Sequence, residues 1–464
     1  MWSRPGLSTT NDVIMHRFYD PNWIEDALLD ALCCKEKYSG LNSEGIGFRS
    51  RPGRTKMSAE SSHVIIVGAG PAGAVLANFL ATRGIRVTLL ERQSDFAREF
   101  RGEAIAPAGR AVLSALDMDD VLDRVPHVDP SVFELFIKRK RLLHLTTQDL
   151  GAGVELPRVY SQPALLEAIV GETTKRTNLV FERGASVKEL LRENGRVVGV
   201  RVRNAEGERR LFADLVIGCD GRASIVRRQA PLEVASEDLP MDVAWFKIAA
   251  PEDWKGECRL RGCVENGHLM IGYITYDGML QLAWVIPKGS FGEMRSRGME
   301  ALVGDMADHA PADLADHLRR HTQELARPFL LSTAADCVRN WSVPGALVIG
   351  DAAHTMSPVG GQGINIALRD AVVAANHLVP ALQAGADLVA IDAAAALIGG
   401  ERMSEITQVQ TLQARPPKII FGSPRRANIM FSLARVIRFA PVRAIVGRFA
   451  RPMIEGVSDV ELRV

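Results

Sequence analysis

The sequence predicts an α/β protein: a domain built on a buried parallel sheet, interleaved with a smaller, mostly antiparallel β-sheet domain, plus C-terminal helices. Three observations predict it. Short, largely apolar runs at His63–Val67, Leu215–Ile217 and Ala346–Ile349 read as strands buried on both faces. Each of these runs gives way to a turn containing glycine, the punctuation of a strand end. Between them lie Ser131–Leu145, Val154–Tyr160, Met241–Ala249, Leu260–Val264 and a hairpin, His268–Thr275 with Met279–Ile286 around Tyr276-Asp277-Gly278. These have strand character and no glycine-rich α/β units between them.

A chain of 464 residues is long enough for two or three domains. Its 47% hydrophobic and 24% charged residues are ordinary for a globular protein. A net charge of +1 gives no general attraction to nucleic acid, and none is expected as a partner. The cysteines Cys33, Cys34, Cys219, Cys258, Cys263 and Cys337 form no CxxC pair and have no zinc-site spacing. No metal is expected, and reduced thiols in a cytoplasmic enzyme are preferred to a Cys258–Cys263 disulfide.

The first strand, His63–Val67, runs into Gly68-Ala69-Gly70-Pro71-Ala72-Gly73 and then helical sequence over Ala74–Arg83. Gly68 permits the tight turn, Gly70 lets backbone approach a pyrophosphate, and Gly73 lets helix and strand pack closely. A second strand, Arg86–Leu90, ends at Glu91, with Arg92 beside it. Glu91 follows Gly68 by roughly 20 residues, the spacing of an acid that holds an adenosine ribose hydroxyl. An acid there favours an unphosphorylated ribose, as in FAD or NAD.

The most informative stretch is Gly350–Ala371. Asp351 sits where the Ala346–Ile349 strand opens into a glycine-rich loop, and a carboxylate there can accept bonds from sugar hydroxyls. The loop then enters a helix, where the N–H groups of Gly363, Ile364 and Asn365 can face an electron-rich ligand edge. FAD needs both services, through its ribityl chain and the O2/N1 edge of its isoalloxazine. Two further turns support FAD. One is Asp220-Gly221 after the Leu215 strand, with Arg227 and Arg228 behind it. The other is Arg158-Val159-Tyr160-Ser161-Gln162, leading into a helix over Pro163–Val170.

With these motifs in this order, the chain over roughly residues 62–400 resembles the single-component FAD-dependent aromatic hydroxylases, the para-hydroxybenzoate hydroxylase-like monooxygenases. The resemblance implies a Rossmann-type FAD-binding domain interleaved with the antiparallel substrate domain. It implies that Gly68, Gly70, Ala72, Gly73, Glu91 and Arg92 serve the adenosine half of FAD. Arg101 would face the pyrophosphate, and Arg158 and Gln162 would lie near the flavin. Asp220 and Gly221 would serve FAD and the co-substrate NAD(P)H, and Asp351 would hold the ribityl chain. Pro358 would border both flavin and substrate. The family has no second nicotinamide domain, and this chain has no second glycine fingerprint. The implied reaction is hydroxylation or epoxidation of an aromatic, polyketide-like or lipophilic small molecule with O2, through a flavin C4a-hydroperoxide.

The expected organisation is an N-terminal extension over 1–61, FAD-binding segments over 62–130, 161–235 and 326–400, substrate-domain segments over 131–160 and 236–325, and a basic helical segment over 401–464. Gly47–Lys56 is rich in Arg, Gly, Ser and Pro and reads as disordered. Asn22–Leu32 suits a short helix, no secretory signal is visible, and the native start is expected at Met57 or the extension is a loose tail. From Ile406 to Ile454 there is no acid among many arginines and apolar residues, with Pro441 dividing two helices. Such a segment suits either a cap on the FAD domain, which is preferred, or peripheral contact with an anionic membrane. No window is apolar enough to span a bilayer.

His354 is expected to pack beneath the Gly-Asp loop rather than to catalyse. His268, Tyr273 and Trp284 could line a substrate pocket, although ordinary sheet packing is the simpler expectation for each. Other activities stay open: a flavin-dependent reductase of the geranylgeranyl-reductase type, or a non-catalytic, membrane-associated FAD-binding scaffold. A flavin-dependent halogenase is disfavoured, because Leu282 replaces the first tryptophan of a motif that Trp284 would complete.

Overall fold

The apolar runs pair as a six-stranded sheet. Its order is Ser342–Val343, Ala346–Val348, Leu215–Gly218, His63–Val67, Arg86–Leu90, Leu179–Glu182. All neighbours are parallel except the short antiparallel pair at the Ser342 edge. The computed structural model describes residues 62–97, 104–147, 149, 155–254, 258–265, 267–325, 328–385, 387–420, 456–458 and 460–464, all within one unit, Ala59–Val464. The expectations for 1–61, Arg101, the start of the Val154 strand and residues 421–455 lie outside the described residues.

Register aligns the strand ends. Val348, Gly218, Val67 and Leu90 are successive cross-strand partners in one row. The turns after them therefore emerge side by side along one edge of the sheet. The ladder continues one step further: Cys219 N donates to Val67 O at 2.7 Å, Ile349 N to Gly218 O at 3.0 Å and Gly68 N to Leu90 O at 2.7 Å. Ile65, Ile66, Leu89, Val216, Ile217 and Leu347 are fully buried, each contributing roughly 1.5–3 kcal/mol by its removal from water.

Helix Pro71–Thr82 packs on helix Gln362–Gln383 and on helix Gln162–Thr173. Pro71 at the first helical position starts the helix three residues before the expected Ala74, because its fixed φ suits that site and its missing N–H costs nothing there. A three-stranded antiparallel sheet, Ser186–Glu193, Arg196–Asn204 and Gly207–Phe212, packs against the Leu215 strand. Sequence reading did not identify that sheet.

The second sheet has seven strands in the order Phe329–Val338, Val234–Ala249, Met279–Pro287, His268–Ile274, Arg259–Glu265, Val132–Ile137, Lys140–Thr146. Only Arg259–Glu265 with Val132–Ile137 is parallel. The expected single run Ser131–Leu145 is thus a hairpin, its turn made by Lys138 and Arg139 with positive φ. The strand expected over Val154–Tyr160 is only Arg158–Tyr160. One face of this sheet is covered by helices Met299–Asp308 and Ala312–Arg320. The other carries Met241, Val243, Leu269, Ala283 and Val285, with Val359 of the glycine-rich loop packed against them.

Candidate functional site

The site lies at the edge where the parallel strands end. The glycines there have separate physical reasons. Gly68 has φ +99°, and a Cβ on it would meet Cys219 O at 2.5 Å. A Cβ on Gly73 would meet Gly68 O at 2.0 Å, so helix and turn are in backbone contact. A Cβ on Gly70, by contrast, would meet nothing within 4 Å. Gly70 therefore faces open space, where a ligand backbone can approach.

Glu91 is buried. Its Oε2 accepts from Ala69 N at 3.0 Å and its Oε1 from Gln93 N at 3.1 Å. The carboxylate therefore lies against the glycine turn. Ala72 is buried beside Gly350, whose own Cβ would come within 3.2 Å of the Ala72 side chain. The first and third motifs are in contact. Arg92 is exposed.

Asp220 Oδ2 accepts from Ile225 N at 2.6 Å and from Val226 N at 3.4 Å, while its buried Oδ1 has no partner. Burial pushes this carboxyl above its ordinary value, against the opposing bonds from Ser224, Ile225 and Val226. Gly221 has φ +75° and faces open space. Asp351 is about one-third exposed, and its Oδ2 accepts from Arg222 Nε at 3.3 Å.

The helix Gln362–Gln383 begins at Gly361, φ +62°, and no side chain caps it; none caps helix Pro71–Thr82 either. Two helix N-termini without side-chain caps thus open at the same sheet edge. A Cβ on Gly363 would meet nothing within 4 Å, and Ile364 is buried. Asn365 does something sequence reading did not foresee. Its Oδ1 accepts from Ala106 N at 2.8 Å, and its Nδ2 donates to Gly361 O at 3.0 Å and Ala104 O at 3.3 Å. The side chain is a strut between the helix start and the Ala104–Ile105 strand.

That strand pairs with Arg158–Tyr160, which brings Arg158 and Gln162 to the same neighbourhood. Arg158 donates to Asp129 at 2.7 Å and to Asp123 and the Tyr160 hydroxyl at 3.3 Å. Gln162 is half-buried at the first position of its helix. Pro358 precedes the turn Val359–Gly361 and adjoins the second sheet through Val359.

The candidate pocket residues separate by strand parity. Tyr273 shares its sheet face with Ile271, the face that Val359 contacts, and its hydroxyl receives Gln281 Nε2 at 2.8 Å. Trp284 and His268 project to the helix-covered face, with His309 4.0 Å from the His268 ring. That places them away from the Pro358 side. His354 is buried, as expected of a residue beneath the loop, with Nε2 2.6 Å from Asp370 Oδ2. Cys219, Cys258, Cys263 and Cys337 are free thiols. Among the described residues there is no acidic, cysteine or histidine cluster able to hold a metal, and no helix long and apolar enough to cross a membrane.

This edge fits FAD on its polar groups alone: open backbone at Gly70 and Gly363, two uncapped helix starts, a carboxylate about one-third exposed at Asp351 and an orphaned oxygen on Asp220. Comparison with known proteins agrees. The family model described as FAD binding domain matches residues 61–396. The 6-methylpretetramide 4-monooxygenase of Streptomyces rimosus is 32% identical over 368 residues, covering 78% of this chain and 86% of that protein. Squalene epoxidase 4 of Arabidopsis thaliana is 30% identical over 332 residues, 69% of this chain and 62% of its own length. In fold, the p-nitrophenol 4-monooxygenase PnpA of Pseudomonas putida superposes with a TM-score of 0.71 at 17% identity, over 87% of this chain and 100% of that one. The chain belongs to the FAD binding domain family and is an FAD-dependent monooxygenase, an oxidoreductase.

Proposed function

We propose that this monooxygenase inserts one atom of O2 into an aromatic, polyketide-like small molecule held between the Pro358 loop and the face of the seven-stranded sheet on which Val359 packs. The observation that carries this reading is the contact of Val359 with that face. Met241, Val243, Leu269, Ala283 and Val285 form it, with Trp245, Ile271 and Leu331 at its margin. An apolar wall directly beside Pro358 suits a flat hydrocarbon framework and keeps water from the reacting centre. The named substrate of the Streptomyces relative is of the same kind.

When bound, FAD reduced by NAD(P)H supplies the oxygen-activating chemistry. The chain's residues bind, orient and exclude. Glu91 would receive the adenosine ribose, and the backbone at Gly70, Ala72 and Gly73 would pass the pyrophosphate, with Arg92, Arg101, Arg158 and Gln162 as further contacts. Asp351 would accept from the ribityl hydroxyls, and the N–H groups of Gly363, Ile364 and Asn365 would face the isoalloxazine edge. Asp220 and Gly221 would border the route of NAD(P)H, and Pro358 would hold substrate against the ring.

The match to squalene epoxidase 4 favours a second reading, epoxidation of a lipophilic alkene. Peripheral membrane contact would then come through the acid-free basic stretch Ile406–Ile454. The deciding experiment monitors NAD(P)H oxidation with O2 uptake over a panel of polycyclic phenols and linear polyenes, under isotopically heavy O2. Label in a hydroxylated phenol supports the first reading, and label in an epoxide the second. An unlabelled, hydrogenated product would show a reductase instead.

A further inference from the structure

A row of buried charges lies behind the Gly350–Asp351 turn. Asp370, fully buried on the Gln362–Gln383 helix, holds three donors. Its Oδ2 accepts from Gly350 N at 2.9 Å and pairs with His354 Nε2 at 2.6 Å, and its Oδ1 accepts from Arg402 Nε at 2.7 Å. Arg402 pairs in turn with Glu405, and Glu405 Oε1 lies 2.6 Å from Arg369 Nη1. All of these side chains are at least nine-tenths buried.

The row ends on a distant part of the chain. Ser458 Oγ donates to Glu405 Oε2 at 3.0 Å, Val457 N to Glu405 Oε1 at 3.3 Å, and Arg369 to Ser458 O. Val457, Val460, Leu462 and Val464 pack on the core of the parallel-sheet domain. Asn376 fastens the same stretch, donating to Glu461 O at 2.9 Å and accepting from Arg463 N at 2.7 Å.

A buried ionic row is a poor source of net stability, because desolvation of its members offsets their attraction. It is a good way to fix geometry, since each member has one low-energy arrangement. What this row fixes is the N–H of Gly350, a residue at φ +61° that directly precedes Asp351. We propose that Asp370 is a positioning residue for the ribityl half of the FAD site, and that Glu405, Arg402 and the Gly456–Ser458 stretch belong to the same positioning unit. The inference rests on the assignment of Asp351 to the ribityl chain. Burial alone would raise the Asp370 carboxyl, but His354 and Arg402 hold it below the usual carboxylate value, so the acceptor is charged.

FAD and ADP report on different halves of the site, because ADP carries adenosine and pyrophosphate but no ribityl chain. Apoprotein titrated with each should show Asp370→Asn weakening FAD by about tenfold or more, the effect of losing a charged hydrogen-bond acceptor. ADP affinity should change by less than about twofold. Glu405→Gln and Ser458→Ala should shift FAD alone in the same direction by smaller factors, and they decide the matter if Asp370→Asn does not fold. Equal losses for FAD and ADP, or no loss for FAD, would overturn the proposal. A parent chain that binds ADP but not FAD would instead overturn the assignment of Asp351.

Discussion

Arg222 Nε stands 3.3 Å from Asp351 Oδ2, so the turn after the Leu215–Gly218 strand is tied directly to the turn after Ala346–Val348. These residues are far apart in sequence and meet only because their strands are parallel neighbours in register. Both side chains are about one-third exposed, so the pair itself contributes at most about 1 kcal/mol.

Asp351→Ala should therefore leave folding almost unchanged and remove the ribityl acceptor. FAD affinity should fall by about 1.5–3 kcal/mol, giving largely colourless protein. Arg222→Ala should shift the apoprotein's stability by less than about 1 kcal/mol. Absorbance of the purified variants and their melting temperatures check both, and full flavin occupancy in Asp351→Ala contradicts the assignment.

Two glycine substitutions separate folding from binding. Gly73→Ala puts a methyl 2.0 Å from Gly68 O, and should destabilise the apoprotein by at least about 1–3 kcal/mol, because backbone must move. Gly70→Ala meets no protein atom within 4 Å, so the apoprotein should melt as the parent does. Its FAD and ADP affinities should both fall, because the methyl points into the pyrophosphate approach. Denaturant melts and ADP titration read the two effects independently.

Glu91 accepts two backbone N–H groups around the glycine turn. Glu91→Ala should weaken FAD by about 1–3 kcal/mol and also lower the stability of the apoprotein. Glu91→Gln, which keeps an acceptor, should recover part of each. A loss of stability with unchanged FAD affinity would mark Glu91 as purely structural.

Acid should loosen the seven-stranded domain through His268. Burial lowers this ring from 6.5 to about 4, with His309 adding to the effect and Asp305 opposing it. The fold keeps the neutral ring. Its contribution is complete above pH 6.5 and is lost as pH falls toward about 4. The melting temperature of His268→Leu should thus approach or pass that of the parent across this window. A difference constant from pH 7 to about 4 would contradict it.

The nucleotide edge was legible because each motif is a local event: an apolar strand, a glycine that needs positive φ or close approach, and a helix start. Gly68, Gly73 and Glu91 could be read that way. Tyr273 and Trp284 could not be distinguished, because parity separates the faces of a strand without saying which face receives helices. The Asp370 row escaped for another reason. Its partner Arg402 lies on a separate helix, Leu388–Ile420, and only packing brings the two together. A signal existed in a lone acid set within the apolar run of the Gln362–Gln383 helix, since a buried charge needs a partner. The Ser186–Phe212 sheet was missed because its many charged residues hid the alternation of Val187, Val197, Val200 and Val202.

The central claim is that the turns at Gly68–Gly73, Asp220–Gly221 and Gly350–Asn365 bind one FAD together. Its most direct test is quantitation of the flavin released from the denatured native chain, combined with FAD titration of the apoprotein in competition with ADP. The account predicts one FAD per chain, displaced competitively by ADP. Sub-stoichiometric flavin that cannot be restored by added FAD, or FAD binding indifferent to ADP, would contradict it.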